Sequence, residues 1–108
     1  MTEQEKQLRQ DLLSADFETR ITAAVSLTGN ILFERNEFEE SELILLDVLG
    51  FQSSKSGSII ELMLGQLYIK MSELPRAKRF LLIAQSSRDE VVMQKAKDLL
   101  EFTSNSSK

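Results

Sequence analysis

Apolar side chains recur at intervals of three and four residues along most of the chain, and this spacing places them on one face of an α-helix. The stretch from Phe17 to Arg35 shows it most clearly, with apolar residues such as Ile21, Ala24 and Val25. The predicted helices cover residues 2–13, 17–35, 37–49, 58–71, 74–85 and 87–102. The sequence therefore predicts an all-α fold.

Residues suited to helix ends stand at the borders of these stretches. Thr2 with Glu5, and Ser87 with Glu90, have the spacing of a capping box, in which each side chain accepts a hydrogen bond from the other residue's backbone N–H. Asp16 is placed to cap the second helix. Pro75 falls in the first turn of a later helix, where its missing N–H costs nothing.

The predicted elements make up one domain, residues 1–108. It consists of a lead helix at 1–15, a first helix pair at 17–49, a second pair at 58–85, a capping helix at 87–102 and a tail at 103–108. Gly50 to Gly57 is the loop-like stretch between the two pairs. We expect the inner face of the capping helix to carry Val92, Ala96, Leu99 and Phe102, and the polar tail to fray.

Small and large residues follow one another in the same order twice, thirty-six residues apart. The clearer copy contains Leu64, Gly65, Tyr68, Leu74, Ala77, Leu81 and Ala84. The weaker copy contains Gly29, Leu32, Phe38, Ser41, Leu45, Val48 and Leu49, with Thr28 in place of the first leucine. Small residues at fixed positions let two helices approach closely, so the repeat predicts two helix hairpins of the same kind.

The amino-acid composition limits the kinds of catalytic and metal-binding site that the chain can form. The chain has no Cys and no His, which removes thiolate ligands, the commonest metal ligand and the commonest general base. No pair of carboxylates stands apart from the solvated helix faces, so we expect a non-enzymatic protein with no catalytic residues, metal site or cofactor. The net charge of −4 disfavours a nucleic-acid partner. Without a long apolar run or a signal-peptide start, we expect a cytoplasmic protein with no membrane partner.

The repeated residues resemble the tetratricopeptide repeat pattern. The resemblance implies a right-handed α-solenoid of two helix pairs whose ends are protected by the lead and capping helices, and a generic helical bundle is the alternative. In such arrays the first helix of each repeat lines a concave groove. The groove residues implied for this chain are Ala23, Ser26, Asn30, Phe33 and Glu34, followed by Ile59, Leu62, Gln66, Ile69 and Lys70. The second set is largely apolar, which favours the apolar face of a partner's helix.

The lead helix provides a second candidate surface, a narrow apolar stripe made of Leu8, Leu12 and Leu13. The stripe either packs on the chain itself, where it would cover apolar groove residues, or it contacts a partner or a second copy. A structural scaffold or dimerisation adaptor that uses the lead helix is therefore the alternative to a helix-binding function.

The order of the elements resembles, more narrowly, the small acidic chaperones of the needle subunit in bacterial type III secretion. The resemblance rests on the lead helix, a turn at Asn36 and Phe38, two helix pairs, a turn from Ser87 to Asp89 and a closing helix. It implies a protein that holds the subunit's amphipathic C-terminal helix in its groove and prevents the subunit from polymerising. It also implies a small helical co-chaperone as a second partner.

Overall fold

The computed structural model describes residues 2–51 and 59–106, and all regular structure within these ranges is helical. The helices are α1 (Glu3–Asp11), α2 (Phe17–Leu27), α3 (Phe38–Phe51), α4 (Ile59–Lys70), α5 (Leu74–Ala84) and α6 (Glu90–Ser106), with a π-helical segment at Thr28–Leu32. The predicted all-α class is confirmed. The chain divides into two compact units, Met1–Phe51 (unit 1) and Gln52–Lys108 (unit 2).

The predicted loop at Gly50–Gly57 is described only at its start. Gly50 and Phe51 are the last two residues of α3, so this helix ends two residues later than predicted. Residues 52–58 lie outside the described ranges.

In unit 1, α1 begins at the predicted cap, where Thr2 Oγ1 accepts a hydrogen bond from the Glu5 backbone N–H at 3.1 Å. The Glu5 carboxylate contacts Arg9 and Arg35 instead of returning to the Thr2 backbone. Only half of the predicted capping box therefore serves as a cap. α1 ends at Asp11 and packs against α2.

The second predicted helix is present but changes its hydrogen-bond register part-way. Asp16 caps it as predicted, accepting from the Thr19 N–H at 3.3 Å and from the Thr19 hydroxyl at 2.6 Å. At the π-helical segment the Phe33 N–H donates to the Thr28 carbonyl, five residues earlier, at 2.9 Å. Thr28, Gly29 and Asn30 follow one another here, and all three have low helix propensity, which lowers the cost of the wider turn.

In unit 2, α4 and α5 form a helix hairpin joined by a three-residue turn. Gly65 lies against Leu81, and the rings of Tyr68 and Phe80 stack with their centroids 5.7 Å apart. Ala77 of α5 is fully buried. The contacts of Gly65 with Leu81 and of Tyr68 with Phe80 join the second half of α4 to the second half of α5, as expected for antiparallel helices connected by a short turn.

The turn of each hairpin uses the same hydrogen bonds, thirty-six residues apart. Asn36 and Ser72 both have a left-handed backbone, with φ of 58° and 61°. The next N–H in each turn donates to a carbonyl five residues earlier, from Glu37 to Leu32 at 3.0 Å and from Glu73 to Tyr68 at 2.8 Å. Both turns thus end the preceding helix in the manner of a Schellman motif.

α6 packs against α5 and α4, and it differs from the prediction at both ends. The residue that caps the helix is Asp89, whose Oδ1 accepts a hydrogen bond from the Val91 N–H at 2.9 Å. Ser87 Oγ accepts a hydrogen bond from the backbone N–H of Asp89, so the predicted Ser87–Glu90 capping box does not form. At the other end the helix continues to Ser106 instead of fraying from residue 103. Residues 107 and 108 lie outside the described ranges.

The inner face of α6 was predicted correctly at Val92 and Ala96 but not at Phe102. Val92 and Ala96 are buried, whereas the Phe102 side chain is 52% exposed. Thr103 is buried in its place and donates a hydrogen bond to the Leu100 carbonyl at 2.9 Å. Position 103 lies eleven residues after Val92, about three whole turns, so it returns to the buried face where position 102 does not.

Candidate functional site

An open depression of about 320 Å³ lies in unit 2, where the last two turns of α4 approach α6. It is lined by Gln66, Ile69 and Lys70 from α4 and by Leu99 from α6. The three α4 residues are spaced three and four positions apart, so they share one face of that helix. Leu99 reaches them because α6 packs against α4.

The lining combines an apolar contact area with polar edges. Ile69 and Leu99 are half-buried and form the apolar part, Gln66 is also half-buried, and Lys70 is exposed. Phe102 does not line the depression, but it follows Leu99 by three positions on α6 and is therefore its exposed neighbour on the helix surface. A shallow, open site of this kind suits side chains projecting from another protein more than a small ligand, which needs to be enclosed.

The other two predicted groove residues of α4 do not line this depression. Ile59 is half-buried at the first position of the helix, and Leu62 is fully buried. α4 is apolar around nearly its whole circumference, and Ile60, Leu64 and Leu67 are buried as well. Leu62 is thus a core residue of the chain, and a charged substitution there would be expected to disrupt folding.

The predicted groove residues of unit 1 also differ in burial. Ala23 is buried, Ser26 and Phe33 are half-buried, and Asn30 and Glu34 are exposed. On α4 the buried residue is Leu62 and the exposed one is Lys70. The last residue of each predicted stripe, Glu34 or Lys70, is therefore exposed.

The second predicted surface, on the lead helix, divides into two parts. Leu8 and Leu12 are half-buried, whereas Leu13 follows the end of α1 and its side chain is 83% exposed. Leu8 and Ala23 line the same open depression, about 290 Å³ in volume, between α1 and α2. Its full lining is Leu8, Asp11, Asp16, Glu18, Thr19, Thr22 and Ala23. Leu8 and Ala23 therefore face the same depression within unit 1.

A group of four charged side chains holds α1 in unit 1. The buried Glu5 carboxylate accepts a hydrogen bond from Arg9 at 3.0 Å, and Arg9 also donates to Glu40 of α3 at 2.6 Å. Arg35 Nη1 lies 3.0 Å from Glu5 Oε1, although the angles of this ion pair are not those of a hydrogen bond. The group links α1 to α3 and to the turn before α3.

These contacts change the acidity of two of the groups. The hydrogen bond from Arg9 holds the pKa of the Glu5 carboxyl below its ordinary value of 4.5, against the opposing effect of burial, and Arg35 acts in the same direction. The hydrogen bond to Glu40 raises the pKa of Arg9. Glu5 is therefore ionised at neutral pH despite its burial.

Sequence reasoning missed Leu99 and Phe102 as surface residues and Glu5 as a buried charge. Leu99 has the spacing expected for the inner face of the capping helix, and this spacing alone does not distinguish a core position from the rim of a depression. The spacing of Glu5 and Arg9 is that of a helical ion pair and was a usable signal. Nothing in the local sequence indicates that Arg35 and Glu40 come close to them.

Within residues 2–51 and 59–106, no three carboxylates are grouped so that they could hold a metal ion. None of the helices in those ranges is long and apolar enough to span a bilayer. No protein-family model, curated protein or solved structure matches this chain.

Proposed function

We propose that this chain is a non-enzymatic binding protein, built from two tetratricopeptide-like repeats, that holds an amphipathic helix of a partner protein. The observation that carries the proposal is the depression lined by Gln66, Ile69, Lys70 and Leu99. Three of these four residues are groove positions implied by the tetratricopeptide resemblance. They line one open depression together with Leu99, and the resemblance implies that this face of α4 receives the ligand.

The repeat assignment is supported by the two hairpin turns and by the close approach of α4 and α5. The equivalent hydrogen bonds at Asn36 and Ser72 have the same thirty-six-residue offset as the repeated small and large residues. Gly65 meets Leu81 where the resemblance requires close helix packing. We propose on this basis that the helix pairs form a right-handed α-solenoid, with α1 and α6 at its ends.

The partner helix would insert apolar side chains, spaced three or four residues apart, against Ile69, Leu99 and Phe102. Fully burying a leucine-sized side chain contributes about 1.5–3 kcal/mol, so two such contacts contribute about 3–6 kcal/mol. This is of the order of the cost of association, so further contacts along the partner helix are needed for a stable complex. The needle subunit of a type III secretion system is the partner class that we propose. Covering the apolar face of its C-terminal helix would keep it from polymerising, and a small helical co-chaperone would be a second partner.

Peptide binding tests this proposal. A fluorescently labelled synthetic peptide with the C-terminal helix of a needle subunit is titrated with the full chain, and a second peptide has its apolar face replaced by polar residues. We expect the first peptide to bind, and Ile69→Asp and Leu99→Asp each to weaken binding at least tenfold. Val91→Asp is the matched control, because Val91 is exposed on α6 but does not line the depression. Equal binding of both peptides, or equal loss in all three variants, would contradict the site.

Leu13 supports the alternative function, a dimerisation adaptor that uses the lead helix. It is the most exposed of the three predicted leucines, whereas Leu8 and Leu12 are half-buried in unit 1. The alternative predicts that Leu13→Gln abolishes self-association while leaving the needle-subunit peptide bound. If the chain binds a partner helix at Ile69, Leu13→Gln should leave the affinity for the peptide unchanged. Binding of the peptide should then not require a dimer formed through α1.

A further inference from the structure

The outward face of α3 carries two exposed leucines among acidic residues. The side chains of Leu43 and Leu46 are 70% and 40% exposed, and their spacing of three makes them neighbours on the helix surface. Glu39 lies one turn before Leu43 and Asp47 one turn after it, and both are exposed. These four residues are named the acidic stripe. α3 contains no basic residue.

The outward face of α5 carries an exposed leucine among basic residues. The Leu82 side chain is 58% exposed, Arg79 is an exposed neighbour one turn earlier, and the half-buried Lys78 lies four positions before it. These three residues are named the basic stripe. α5 contains no acidic residue.

The two stripes occupy equivalent faces of equivalent helices. Arg79 and Leu82 lie thirty-six residues after Leu43 and Leu46, the same offset that relates the two hairpin turns. Exposed apolar residues on an ordinary protein surface are mostly scattered singly, whereas Leu43 and Leu46 are neighbours on α3. On α5 the exposed Leu82 lies among basic residues instead of acidic ones. The equivalent helix face therefore carries acidic residues on α3 in unit 1 and basic residues on α5 in unit 2.

We propose that the acidic stripe of one copy binds the basic stripe of a second copy of this chain. The contact would bury Leu43, Leu46 and Leu82 and would place Glu39 and Asp47 against Arg79 and Lys78. Charge selects the pairing, because α3 against α3 or α5 against α5 would juxtapose like charges. The contact joins different surfaces of the two copies, and either a closed dimer or a larger assembly contains it. It does not involve the depression at Ile69.

Sedimentation of the full chain from micromolar to millimolar concentration, at low and high salt, tests the proposal. We expect reversible self-association that salt weakens, since the charges at the rim of the contact are solvent-accessible. Arg79→Glu alone, and Glu39→Lys combined with Asp47→Lys, should each weaken association by about tenfold or more. Circular dichroism and thermal unfolding establish that each variant remains folded. Leu82→Gln provides a second, uncharged variant of the basic stripe.

The decisive experiment is sedimentation of a mixture of the two charge-reversed proteins. The Arg79→Glu chain keeps its acidic stripe and the Glu39→Lys, Asp47→Lys chain keeps its basic stripe, so the mixture should associate more strongly than either protein does alone. Leu13→Gln should leave association unchanged. A chain that stays monomeric at millimolar concentration, a mixture that fails to associate, or dissociation by Leu13→Gln but not by Arg79→Glu would overturn the proposal.

Discussion

Gly65 and Leu81 approach each other so closely that a methyl group on residue 65 would lie 2.5 Å from Leu81 Cδ2 and 2.6 Å from Leu81 Cγ. The separation between α4 and α5 at this point is therefore set by the absence of a side chain. Gly50 of α3 offers the opposite environment, because a methyl group there would meet nothing within 4 Å among residues 2–51 and 59–106.

This difference predicts opposite effects for the same substitution at two helical glycines. Gly65→Ala should lower the free energy of unfolding by about 1–3 kcal/mol, because Leu81 must move out of its packed position. Gly50→Ala should raise it by about 0.5–1 kcal/mol, because alanine restricts the unfolded chain and favours the helix. Urea denaturation of both variants measures the effects. Equal responses of the two glycines would show that α4 and α5 do not approach as closely as described.

Thr28 predicts a stabilising substitution. It is fully buried in the π-helical segment, and its Oγ1 has no hydrogen-bond partner in the described part of the chain. Thr28→Val removes the unsatisfied hydroxyl with little change of shape and should raise the free energy of unfolding by about 1 kcal/mol.

Thr103 is the matched control for Thr28, since it is equally buried but donates to the Leu100 carbonyl. Thr103→Val should leave stability unchanged or lower it by up to about 1 kcal/mol. If both valine variants shift the denaturation midpoint in the same direction, hydrogen bonding does not distinguish the two sites.

The buried Glu5 carboxylate predicts a pH dependence of stability. Its pKa is lower in the folded chain than the ordinary value of 4.5, so below that value the unfolded chain binds the proton more readily. The stabilising effect is complete above pH 4.5 and is lost as the pH falls through the lower, folded pKa. The wild-type chain should therefore lose more stability on acidification than Glu5→Gln does.

Thermal unfolding at a series of acidic pH values measures this difference. Glu3→Gln is the control, because Glu3 lies on the same helix but is exposed, with Lys6 at 3.6 Å. It should retain the wild-type pH dependence. A Glu5→Gln variant with an unaltered pH profile would exclude a depressed pKa at this site.

Local patterns predicted the helices and several of their boundaries correctly. Apolar spacing indicated each helix, and Thr2, Asp16 and Pro75 take the predicted positions at helix ends. Gly65 and Ala77 allow close packing, as the alternation of small and large residues indicated. These features depend on residues within a few positions of one another, so a single sequence contains the information.

Other features depend on register or on distant residues, and the sequence could not supply them. The π-helical turn at Thr28 shifts one hydrogen bond without altering the apolar spacing around it. Leu62 is buried because α4 is apolar on nearly every side, and such a helix gives no periodic indication of which face is open. The pairing of Arg9 with Glu40 joins residues on different helices. Three residues that line the candidate site were therefore among the predicted groove residues, namely Gln66, Ile69 and Lys70. The fourth, Leu99, was not.

The most direct test of the helix-binding proposal is a methyl NMR titration of the full chain with the needle-subunit peptide. We expect the methyl resonances of Ile69 and Leu99 to shift together and saturably, while those of Leu43 and Val91, which do not line the depression, stay in place. Saturable binding that shifts Leu43 or Val91 but leaves Ile69 and Leu99 unchanged would contradict it, as would the absence of any shift.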